Sequence, residues 1–396
     1  MAGIRRRIYW TAIISITGFT FFLNICAWLS PEFSDTYRKY VFPLWGSTLG
    51  RFSDLFSFSL GELMIVSGLV LLAVFVISVS FYIVMRLLRR NFSSSVHFIR
   101  FFRVFLFVLS SLALVMTLNC FIIYHCNTFS DEYFSESSDG YSYSYFELAS
   151  VRDYVVDQVN TLSLDMQRDE DGNVIYNGTE ADMKAEAIAS MKNLGSIYPE
   201  LSGHYNTPKA LYFSDFMSQQ SMRGYYFPFS MESNYNNNMT TVNKPSTMCH
   251  ELAHTKGFIY EDEANLIAYL ACVNSDDEYF RYSGYLSILN YLDNDFKTAC
   301  GKGTFIYNAH PAISSLVRSD NVFLTASSRK SMEKNAVVPT KAVKKAANTF
   351  INTNLIVNGI PDGELSYCRV VGLVLDYYDG SDTMQYDSYL FADAAE

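Results

Sequence analysis

No two of the seven cysteines stand as a CxxC pair, and at least two of them fall inside apolar runs, which argues against both a disulfide framework and a cysteine zinc cage. Histidine is scarce, with six in 396 residues, so a close pair of them stands out from background. No internal repeat is evident, and no long apolar run follows Tyr124. Positive charge is also short: 30 Lys and Arg stand against 40 Asp and Glu, for a formal charge of -10. The first third is locally basic (Arg5, Arg6, Arg7, Arg86, Arg89, Arg90, Arg100, Arg103), so the acidic excess belongs to the remainder. An acidic domain repels a polyanion, which argues against nucleic acid as a partner.

The sequence is rich in apolar residues, 49% of the chain, and they crowd into the first 125 positions. Three uncharged or nearly uncharged runs, about 8–29, 61–85 and 104–124, are each long enough for a helix to cross a bilayer. The first reads as an uncleaved anchor, because its apolar run is longer than that of a signal peptide and no clean cleavage site follows before Pro31. Basic clusters precede the first run, follow the second and precede the third. By the positive-inside rule they place the N-terminus and the 86–103 loop in the cytoplasm, and everything after His125 outside. The aromatic-rich linker 31–60 suits the outer interface.

Residues 1–125 thus form a transmembrane region, 126–143 a polar linker, and 144–396 a water-exposed domain. Helical spacing covers 147–164 and 180–194, the latter with Thr179 as N-cap and Glu180 in its first turn. KALYFS (209–214) and GYYFPFS (224–230) are short, aromatic and strand-like. The fold expected is α+β and mainly helical: three membrane helices, then a domain with a small sheet and one buried helix that carries the chemistry.

That helix lies in STMCHELAHTKGFIYEDEANLIAYLAC, 246–272, which contains HExxH. Two histidines four apart on a helix share a face, with Cβ atoms roughly 6 Å apart, so His250 and His254 can grip one Zn²⁺. Glu251 is rotated by about 100° and stands beside the metal without binding it, placed to take a proton from water that the metal has made acidic. Met248, Cys249, Leu252 and Ala253 are apolar, which points to a buried helix. Gly257 turns the chain, and a second helix starts near Glu261 with Ala264, Ile267, Ala268 and Ala271 on one face. A catalytic zinc site needs a third protein ligand, and Glu261 and Glu263 compete for that place from different faces.

EDEAN resembles the ExxxD element of the thermolysin-like, or gluzincin, peptidases. The resemblance implies Glu261 as third ligand and Asn265, which replaces the Asp, as a partner behind the ligands. Asn cannot supply a carboxylate there, and the gap from His254 is shorter than in thermolysin. The whole layout, three spans followed by GYYFPFSMESNYN, the HExxH segment and SYCRVVGLVLDYY, resembles an uncharacterised bacterial membrane family in the zincin clan. It implies that Tyr226, Phe227, Glu232, Asn234 and Asn236 lie on an edge strand that pairs with extended substrate. An oxyanion stabiliser is also required, and Tyr282, Tyr285, His310, Tyr367 and Arg369 are the available donors.

These readings converge on a multi-pass zinc metallopeptidase of the bacterial cytoplasmic membrane, its catalytic domain outside, with Zn²⁺ as cofactor and the bilayer and a peptide or protein as partners. Two other functions compete. A non-catalytic sensory or peptide-binding module would keep zinc but has no need of Glu251. An intramembrane protease would hold HExxH within the bilayer, whereas the motif lies well beyond the last span with polar flanks.

Overall fold

The structure is a computed structural model that describes residues 2–88, 95–134, 143–301, 304–357 and 369–386. Within it the chain divides into two units, Met1–Cys126 with Phe227–Glu232, and Asn127–Tyr226 with Ser233–Glu396.

In the first unit, α1 (Ala2–Leu29) leads through Ser30 into α2 (Pro31–Tyr40), where the Ser30 hydroxyl caps Phe33 N–H and Pro31 takes the first turn. The linker expected at 31–60 is therefore largely helical. It is followed by α3 (Leu60–Leu87) and α4 (Ser95–Met116), the latter running on through a widened turn at Thr117–Phe121. Arg7–Leu29, Leu60–Leu87 and Phe98–His125 are three helices long and apolar enough to cross a membrane. Polar contacts join the first and third: Thr17 Oγ1 donates to Ser110 Oγ at 3.2 Å and Asn24 Nδ2 to Thr117 Oγ1 at 2.9 Å. Leu69 and Ile77 on α3 are largely exposed, an arrangement suited to hydrocarbon rather than water.

The second unit is built from α5 (Phe129–Tyr133), α6 (Tyr145–Asp165), α7 (Glu180–Ile197), α8 (Lys244–His254), α9 (Glu261–Val273), α10 (Glu278–Ala299) and α11 (Val370–Tyr378). Thr128, Ser144 and Thr179 open α5, α6 and α7 with capping boxes, each satisfying two otherwise orphaned groups. Val151, Val155 and Val159 of α6, Met191 of α7, Leu266 and Leu270 of α9, Leu289 of α10 and Val374 of α11 form one core. Met248, Cys249, Leu252 and Ala253 of α8 are fully buried in it, as their pattern foretold. Burying a Met or Leu side chain contributes about 1.5–3 kcal/mol, enough to fix the helix about its axis.

The chain has three short strands among the described residues: β1 (Lys209–Ala210), β2 (Gly224–Phe227) and β3 (Glu232–Tyr235). Their order is β1-β3-β2, with β1 parallel to β3 in the register Lys209↔Asn234 and Ala210↔Tyr235. The strand read in KALYFS shrinks to two residues, because Ser214–Gln219 turns helical. The residues just after GYYFPFS supply the central strand, Glu232–Tyr235.

Candidate metal centre

Gly257, at φ +88°, makes the turn that ends α8. Its amide donates to His254 O at 3.0 Å, and Phe258 N–H reaches back to Ala253 O at 3.4 Å. The turn delivers the Phe258 carbonyl to His254 Nδ1 at 2.7 Å. The other ring nitrogen, Nε2, faces His250 and Glu261, so the Phe258 carbonyl would hold the far side of the ring while Nε2 met a metal.

Three residues later α9 begins, and its first turn carries Glu261, Asp262 and Glu263, acids that suit a helix N-terminus. At 100° per residue Glu261 and Glu263 project to opposite sides. Glu261 Oε2 lies 3.0 Å from His250 Nε2 and 3.8 Å from His254 Nε2. Glu263 turns away and accepts from Ser130 N–H at 3.1 Å and Ser130 Oγ at 2.5 Å, in the first turn of α5. Of the two carboxylates, Glu261 is the one that groups with the two histidines. Asn265, one helical turn beyond Glu261, lies near the His250 ring, whose pKa burial lowers.

His250, His254 and Glu261 together can hold a metal ion. The two Nε2 atoms are 3.1 Å apart, and the three separations average about 3.3 Å. A tetrahedral ion with bonds of about 2.0–2.1 Å requires ligand atoms about 3.3–3.4 Å apart, so the average spacing suits a metal ion of that size. Electrostatics agree. Burial raises the Glu261 carboxyl, but the His250 hydrogen bond and the two nearby rings outweigh it and hold the group well below the usual carboxylate range. Burial lowers His254, yet the nearby Glu261 carboxylate lifts it to about 9. One positive charge is favoured among these three atoms.

Glu251 is nearly fully buried, and one of its oxygens, Oε2, has no hydrogen-bond partner. Burial, partly offset by the His254 charge, pushes its carboxyl up to about 8. Over its other oxygen lies Gly224, the first residue of β2: a Cβ there would stand 2.6 Å from Glu251 Oε1 and 2.6 Å from Asn234 O, so no larger residue fits. Side chains alternate along a strand, and Tyr226, two residues on, points the same way, its ring centroid 6.3 Å from that of His254. Sequence reading missed both Gly224 and the Phe258 carbonyl. A glycine opening an aromatic strand is a usable signal for the first, whereas nothing in one sequence announces a backbone acceptor.

Several expected site residues are placed elsewhere. β3 is the central strand, so Glu232 and Asn234 are not on an edge, and all of Glu232, Asn234 and Asn236 are fully buried. Asn236 follows β3, its N–H donating to Arg223 O at 2.7 Å and its side chain to Ser218 Oγ at 2.9 Å. Tyr226 and Phe227 do lie on the edge strand. Among the oxyanion candidates, Tyr282 donates to Asp320 at 2.6 Å inside the core, and Tyr285 meets Tyr154 at 3.1 Å. His310 is held between Asp153 at 2.6 Å and the Tyr145 hydroxyl at 3.0 Å. Arg369 Nε pairs with Asp262 at 2.9 Å, and Tyr367 lies outside the described residues.

Fold and site together define a mainly helical protein with three helices able to cross a membrane and a His–His–Glu group able to hold a metal ion. The chain belongs to the family described as "Protein of unknown function (DUF3810)", whose model matches residues 37–375. No curated protein and no solved structure matches it.

Proposed function

We propose that this is a membrane-anchored zinc metallopeptidase that hydrolyses peptide bonds of extracytoplasmic peptides or proteins. The observation that carries the reading is the convergence of His250 Nε2, His254 Nε2 and Glu261 Oε2 beside a buried carboxylate with one unpartnered oxygen. His250, His254 and Glu261 would hold the ion, with Asn265 and the Phe258 carbonyl fixing the two rings. When bound, zinc polarises a substrate carbonyl and lowers the pKa of water to about 7. Glu251 Oε2 accepts the proton that water loses as it attacks and returns it to the departing amine. Gly224 lets the backbone of β2 approach that carboxylate closely, and β2 lies at the edge of the sheet, where an extended peptide would add as a strand.

A closed structural zinc site uses four protein ligands, whereas three ligand residues group here among the described residues, which favours catalysis over a purely structural metal. The basic flanks of the spans support a cytoplasmic N-terminus and an external second unit in a bacterial cytoplasmic membrane. The deciding experiment compares wild type with Glu251→Gln for zinc content and for cleavage of an unbiased peptide mixture. Zinc is expected at one per chain in both, with cleavage only in wild type. A Glu251→Gln protein that cleaves at the wild-type rate overturns the proposal.

A further inference from the structure

Cys249 on α8 and Cys272 on α9 bring their sulfurs to 3.8 Å, a van der Waals contact, although 23 positions separate them in the chain. Both are free thiols in this structure, and both are fully buried. No CxxC spacing marks the pair; the turn at Gly257 and the packing of α9 against α8 create it.

Neighbouring helices enclose the contact. Cys249 Sγ lies 4.0 Å from Ala187 O of α7. Gly284 of α10 sits so close to the pair that a Cβ on it would stand 2.7 Å from Cys272 Cβ. A disulfide holds its sulfurs about 2.05 Å apart, so closing the gap from 3.8 Å takes roughly 1.8 Å, less than about 1 Å at each sulfur. Small changes in side-chain torsion cover that distance without moving either helix far.

The compartment decides what such a contact becomes. In a reducing cytosol two touching thiols are ordinary small apolar residues. Outside the cytoplasmic membrane they meet thiol oxidants, and neighbouring thiols persist there as a disulfide.

We propose that Cys249 and Cys272 form a structural disulfide that braces α8 against α9, the two helices that carry His250, His254 and Glu261. The inference rests on the extracytoplasmic placement proposed above, not on catalysis. Once the core is closed neither sulfur meets solvent, so the bond forms as the unit folds. The oxidant is a disulfide-bearing compound or protein, R–S–S–R. One thiolate attacks it, forming a mixed disulfide and releasing RS⁻, and the second thiolate attacks the mixed disulfide and releases the other RS⁻. The two cysteines lose two electrons and two protons, and the oxidant leaves as two R–SH.

The test takes the full-length chain from bacterial membranes, quenches it in acid, alkylates it under denaturing conditions with and without prior reduction, and maps the cysteines by mass spectrometry. Protease added to intact spheroplasts reports whether the second unit faces outside. A peptide linking Cys249 to Cys272 is expected in most chains without reduction and in none after it. Melting with reductant, or the Cys249→Ala/Cys272→Ala double substitution, is expected to lower the melting temperature by about 5–10 °C, with the double variant indifferent to reductant. If the double variant does not fold, wild type with and without reductant decides. Both cysteines found alkylated without reduction, in a chain whose second unit the protease reaches, overturn the proposal. A second unit that the protease does not reach overturns the placement and the disulfide with it, while zinc content and cleavage still judge the peptidase reading.

Discussion

Glu261 and Glu263 are the same residue type, two positions apart in one helical turn, and removing each carboxylate in turn separates the metal reading from general acidity. A structural zinc site of four ligands binds with about 10–16 kcal/mol, so an equal share is about 3 kcal/mol per ligand. Glu261 Oε2 lies 3.0 and 3.8 Å from the two imidazole nitrogens. Replacing it by Ala is therefore expected to weaken zinc binding by roughly 100-fold, at about 1.4 kcal/mol per factor of ten. Glu263→Gln keeps one acceptor for Ser130 and touches no histidine, so zinc affinity is expected to stay within about threefold. Competition against a coloured chelator at fixed pH measures both. Equal losses in the two variants, or undiminished binding in Glu261→Ala, would refute the assignment of the ligand.

Gly257→Ala forces a Cβ into φ +88° and displaces the Phe258 carbonyl from His254; a loss of about 1–2 kcal/mol in thermal or denaturant unfolding is expected, with roughly tenfold weaker zinc binding. Gly224→Ala drives a Cβ to 2.6 Å from the Asn234 carbonyl and from Glu251, so zinc content is expected to persist while cleavage falls by about tenfold or more. His310→Ala removes the partner of Asp153 and Tyr145; unfolding measurements are expected to show about 1–3 kcal/mol of destabilisation, with zinc affinity unchanged. Loss of zinc in that variant would return His310 to the site.

What could be read in advance divides along a physical line. The three helices long and apolar enough to cross a membrane, the buried α8, the Gly257 turn and the start of α9 are local consequences of apolar periodicity, helix spacing and the φ freedom of glycine, and each is found in the fold. The pairing of His250 with His254 is likewise a property of one helical turn. Which acid joins the two histidines needed the rotation of α9 about its axis, which is set by tertiary packing, and the motif alone left two acids in contention. The sheet was harder. Glu232, Ser233, Asn234 and Tyr235 form the central strand although Asn and Glu disfavour strands, because burial between β1 and β2 overrides propensity. Tyr282 and His310 attracted attention as donors, yet each is matched to an acid distant in sequence, Asp320 and Asp153, and no spacing rule exposes such a match.

Glu261, Glu263 and Asn265 occupy alternate positions in the chain. Were this stretch extended, the twofold alternation of a strand would set all three side by side, an indiscriminate claw for any hard cation. Coiled into α9, the same letters are sorted, two toward the imidazoles and one toward Ser130. Which of these groups meets the imidazoles is thus decided on folding, by the rotation of one helix.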